Sequence, residues 1–324
     1  MAGSNMTLPV LSAISIILWL VMPYTSGQSN VYHSADYGLW CFVPSLSEGV
    51  GAVVSLAVVA LCVYLMAELN NTNALLRITS RIISSLLALL CGMAVALHLP
   101  QPGLVLMFFT LVAFFPLFQA YQYPSPLLTF CIFLSISVSS FVFPKSLMLV
   151  PVYWLIQTYL RSFSFRCFVA SLLALALPYW LCFGTLFVMG RLDVFVLLVS
   201  PLASWHWGNY SQLALGDVFT FGFMFLLFAV GVVDFIINSF YDKTHTRLLY
   251  SSVIFHGFCV AAFIILQPQF VDVLLPVFII DAAILFGHFF ALTYTRASHI
   301  ICLVLAALAI FLITQSFIPL PWNL

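Results

Sequence analysis

Four ionisable side chains, Asp234, His256, Asp281 and His288, stand inside long apolar runs of this 324-residue chain. A charged group at the centre of a bilayer helix costs about 3 kcal/mol on insertion scales, so each needs a partner or a task. Asp281 lies near the middle of the run Val273–Tyr294, and His288 follows it by two helical turns, which sets both on one face of a helix. If the run Leu248–Leu266 is antiparallel and adjacent, His256 comes to a depth similar to that of His288. Asp234, in Val218–Ile237, comes lower still, nearly at the membrane boundary. Imidazoles and carboxylates in this order form an intramembrane track suited to proton transfer or cation coupling. The same groups also pair across helices and fix their register. Glu68, at the end of Val50–Ala67, is a fifth ionisable residue; it and Asp234 are close enough to the edge to snorkel or to pair with Arg77 or Arg247.

A second set of residues lies in the two polar loops of any size, Thr25 to Gly49 and Gly190 to Asp217. Asp36 and Glu48 offer a carboxylate that would serve as a base or metal ligand, and Arg191 with His206 would hold a lipid phosphate. That is the chemistry of a polyprenyl-phosphate-dependent membrane glycosyltransferase, although the first loop is short for that class and carries no paired acidic motif. The Trp205–Tyr210 cluster is the aromatic anchoring expected at a membrane face. Phosphate-binding, dinucleotide-binding and zinc-protease motifs are absent, and the eight cysteines are far apart with no histidine at zinc spacing, so no metal and no cofactor is expected.

The elements that must position these residues follow from composition. Hydrophobic residues make up 64% and charged residues 6%, against roughly 25% charged in a soluble domain. Lipid is therefore the main solvent, and the spacing predicts an all-α polytopic transmembrane bundle. Eleven spans are expected: Leu8–Tyr24, Val50–Ala67, Ile82–Leu99, Gly103–Gln119, Ser125–Phe143, Leu147–Leu160, Cys167–Met189, Val218–Ile237, Leu248–Leu266, Val273–Tyr294 and Ile300–Phe317. Leu147–Leu160 is short for a crossing and contains Pro151, and Pro144, Pro151 and Pro178 interrupt three successive runs. Val194–Ala203 is apolar but short and is expected along the interface. A cytoplasmic N-terminus leaves Arg77, Arg81, Arg161, Arg166, Lys243, Arg247 and Arg296 inside and only Lys145 and Arg191 outside, the bias that short loops obey. The whole chain, 1–324, reads as one integral-membrane domain with external loops at about 25–49 and 190–217.

The stretch Phe141-Val-Phe-Pro-Lys-Ser-Leu-Met-Leu-Val-Pro-Val-Tyr-Trp154, with Arg161-Ser-Phe-Ser-Phe-Arg166 and Leu177-Pro-Tyr-Trp180, resembles a family of uncharacterised inner-membrane proteins of Bacteroidota. The resemblance covers about a quarter of the chain. It implies the cytoplasmic membrane of a Gram-negative cell and brings no assigned activity, so no catalytic residue is carried over.

Three functions fit these observations: a transporter or carrier using the Asp/His track, the glycosyltransferase, and a non-catalytic membrane assembly subunit. The expected partners are the lipid bilayer and, for the third reading, other membrane proteins. A formal net charge of zero gives no footprint for nucleic acid.

Overall fold

A backbone without water must close its hydrogen bonds within the segment, and the helix does this. The computed structural model describes residues 13–17, 19, 35–42, 47–73, 75–76, 81–203, 208, 210, 215–292, 304, 307, 308 and 310; among them there are helices and no strand. The α-helices are α1 (Glu48–Asn73), α2 (Ile82–Met93), α3 (Pro102–Gln119), α4 (Pro126–Ser139), α5 (Val150–Tyr159), α6 (Phe165–Val188), α7 (Leu192–Ala203), α8 (Leu215–Asn238), α9 (Thr244–Leu266) and α10 (Val271–Leu292). Six stretches, Gly49–Asn73, Pro102–Gln119, Phe165–Val188, Gly216–Tyr241, Thr244–Leu266 and Pro268–Ala291, are long and apolar enough to cross a membrane.

Three of the expected spans form shorter helices. Ile82–Leu99 is broken at Ala94, which turns to extended backbone (φ −83°, ψ 94°) before a 3-10 turn Val95–His98. The 12 residues of α2 rise about 18 Å against a hydrocarbon core of about 30 Å. Ser125–Phe143 yields the 14-residue α4. Leu147–Leu160 yields the 10-residue α5, preceded by a 3-10 turn Pro144–Leu149. Pro151 sits in the first turn of α5, where its missing N–H costs nothing. Val194–Ala203 falls within α7, and the spans expected at Leu8–Tyr24 and Ile300–Phe317 lie largely outside the described residues.

The chain divides into two compact units. The first comprises Met1–Gln28, Leu46–Leu104 and Gly208–Leu324. Its centre is α10, against which α2, α8 and α9 pack. Of the most apolar 18 residues in Pro268–Ala291, 94% are buried inside the protein, compared with 28% of those in Gly49–Asn73. The backbones approach closely where a side chain is missing: a Cβ on Gly231 of α8 would fall 2.7 Å from the main chain of Leu285.

The second unit comprises Ser29–Ser45 and Val105–Trp207. Ser125 caps α4 by accepting the Leu128 N–H, with Pro126 as first helical residue, and Ser164 caps α6 by accepting the Cys167 N–H. Neutral hydroxyls join its helices. The Ser137 hydroxyl donates to the Leu175 carbonyl at 2.9 Å, Ser140 and Tyr179 share a hydrogen bond of 2.7 Å, and the Trp154 indole donates to Ser171 at 3.0 Å. Lys145 is completely buried in the 3-10 turn before α5.

Candidate functional site

Helices α8, α9 and α10 are successive and long, so α8 and α10 run parallel with α9 antiparallel to both. That topology pairs residues in a fixed register. At one level His256 of α9 faces Asp281 of α10, with Nδ1 2.8 Å from Oδ2 and both side chains buried to 1% exposure or less. A single proton fits between these atoms, donated either by Nδ1–H to a carboxylate or by a carboxylic acid to Nδ1. The second oxygen of Asp281, Oδ1, has no hydrogen-bond partner.

Two turns along α10 lies the second level. His288 is held with Nε2 3.1 Å from Oδ2 of Asp242, and its Nδ1 is 3.7 Å from Oδ2 of Asp234. Asn238 donates to Oδ1 of Asp234 at 2.7 Å, one turn away on α8. The imidazole is boxed by rings: Tyr250 meets it edge-on at 4.7 Å and Phe235 at 5.8 Å, while Tyr250 and Phe235 stack at 5.3 Å. His288 thus stands between two carboxylates, within hydrogen-bond distance of Asp242 and within ion-pair distance of Asp234.

Two expectations are corrected by this geometry. His256 lies at the level of Asp281, not of His288, because α9 begins at Thr244 and places Tyr250 opposite His288. Asp234 does not snorkel at the membrane edge; it is 7% exposed, bonded by Asn238 and turned toward His288. Asp242 and Tyr250 belong to the site and were not selected from the sequence. The signal for Asp242 was the tightness of the link between Asn238 and Thr244, which leaves its residues within reach of the helix ends.

The external-loop residues do not assemble into a described site. Arg191 forms an exposed ion pair with Asp193, two residues on, at 3.5 Å. Asp36 falls in the 3-10 helix Ala35–Phe42 and Glu48 opens α1, but their side chains, like all of His206, lie outside the described residues. Glu68 is exposed on α1, and its carbonyl accepts the Thr72 hydroxyl. Among the described residues no cluster of three or more histidine, cysteine or acidic side chains is arranged to hold a metal ion.

Compared with known proteins, the chain matches no family model and no curated protein sequence.

Proposed function

We propose that this protein is a multi-pass carrier of the Gram-negative inner membrane, with about eleven spans and a cytoplasmic N-terminus, in which Asp281, His256, His288 and Asp234, joined by Asp242, bind and pass protons or a coupled cation. The observation that carries this reading is the fully buried His256–Asp281 pair at 2.8 Å with one carboxylate oxygen left over. An ion pair that served packing alone is replaceable by apolar or neutral groups at little cost, and intramembrane ionisable residues are retained where ions or protons move. The two levels share α10, so a proton taken up at His288 has about 10 Å of helix rise to cross to Asp281. The glycosyltransferase reading is weaker because Arg191 is engaged by Asp193 rather than turned to a phosphate. The assembly-subunit reading leaves the buried pairs without a task.

The test needs no known cargo. In proteoliposomes adsorbed on a solid-supported membrane, a pH jump displaces charge when a proton enters a buried site. The wild type gives a transient displacement, and Asp281→Asn, which keeps the shape and an acceptor for His256, lowers it at least tenfold. A wild-type trace no larger than that of protein-free liposomes removes the reading.

A further inference from the structure

Polar groups occupy the seam of α8, α9 and α10 from Asp281 toward the C-terminal end of α10. In the other direction the seam is aromatic. The Phe278 ring, one turn before Asp281, meets Phe221 at 5.6 Å, Phe225 at 6.3 Å and Phe228 at 5.2 Å; Phe228 in turn meets Phe258 edge-on at 5.2 Å. Phe228 and Phe278 are completely buried, whereas Phe225 and Phe258 are partly exposed. Beyond the rings acidity returns: Asp217 stands in the first turn of α8 and Asp272 in the first turn of α10. The seam therefore reads carboxylates, phenylalanines, His256–Asp281 and His288 with its two acids, in that order along α10.

One ring is placed differently from the rest. Phe228 fills the notch left by Gly257, the residue after His256: a Cβ on Gly257 would fall 2.3 Å from the Phe228 ring and 3.2 Å from Cβ of Asp281. The absence of that single carbon lets the ring reach the level of the buried pair. A phenyl ring has no donor or acceptor, and a fully packed one leaves no room for the water that a proton needs between groups, which is how hydrophobic constrictions close pores.

Resting on the proton-carrying reading above, the geometry points to Phe228 as the residue that closes Asp281 toward the Asp217–Asp272 side, leaving the His256–Asp281 pair in exchange with the His288 side alone. Phe228 positions the barrier and does not itself carry the proton. A ring that only fills space would lower stability when trimmed and open nothing. A closing ring, once trimmed, joins the two polar ends of the seam through Asp281.

The experiment uses the full chain in proteoliposomes, with a potassium diffusion potential set by valinomycin and a pH dye inside. Phe228→Ala is compared with wild type, with Asp281→Asn and with the double variant; Phe228→Leu is carried in parallel and decides the question if the alanine variant does not yield monodisperse protein. The expected result is a sustained proton leak in the Phe228 variant, at least tenfold above wild type, that disappears when Asp281→Asn is added. No leak in a folded Phe228 variant overturns the closure, even where Asp281→Asn still abolishes the pH-jump transient. A leak that survives Asp281→Asn also overturns it, since the opened route then bypasses the pair. Loss of the parent reading looks different: the wild type itself gives no pH-jump transient.

Discussion

The two units of this protein hold their helices together with different chemistry. In the second, Ser137, Ser140, Ser171, Trp154 and Tyr179 join segments by neutral hydrogen bonds of 2.7–3.0 Å. In the first, α8, α9 and α10 meet through two histidines and three aspartates, all at most 8% exposed. Both solutions supply the polar contact that apolar helices in lipid use for register, worth about 1 kcal/mol per bond. The neutral solution does so without the cost of desolvating ions. The difference teaches that the ionisable seam exceeds what packing requires, and the excess is the reason to assign it a function.

Substitutions break or sharpen that contrast. The largest effect is expected in the first unit, where Asp281→Asn abolishes the pH-jump transient while thermal unfolding in detergent shifts by only a few degrees. His288→Ala comes next. It leaves Asp234 and Asp242 facing each other across a lost imidazole; stability drops by about 1–3 kcal/mol, and the displaced charge falls severalfold because the pair at Asp281 loses its neighbour. Gly257→Ala drives a methyl group into Phe228 and costs about 1–3 kcal/mol through overpacking, seen as a lowered midpoint in thermal denaturation. The smallest effect belongs to the second unit. Ser140→Ala removes the partner of Tyr179 at a cost of about 1 kcal/mol, and the charge displacement stays at the wild-type value. Equal loss of displacement in Ser140→Ala and Asp281→Asn would erase the distinction between the units.

Much of this was legible in the residues. Hydropathy alone locates the six long helices, and the cost of an ion in lipid singles out Asp234, His256, Asp281 and His288. Pairing was harder to read. The depth of His256 depends on how α9 and α10 are offset, and its expected level, that of His288, is two helical turns from the level of Asp281 where it is found. Asp242 looked like a loop residue because the 3-10 turn Ser239–Tyr241 that folds it back beneath His288 has no strong sequence signal. The break at Ala94 precedes the visible Pro100 punctuation, so α2 ends earlier than its apolar run. Phe228 was one of 33 phenylalanines, and only its fit against Gly257 sets it apart.

Infrared difference spectroscopy on protein in liposomes, taken between acidic and alkaline buffer, reads the central pair directly. A protonating Asp281 adds a carboxylic-acid C=O stretch that disappears in Asp281→Asn and shifts in His256→Gln, and that is the expected result. Difference spectra of wild type and Asp281→Asn that superimpose would mean that the His256–Asp281 pair never exchanges its proton, and the seam would then be a fastening and nothing more.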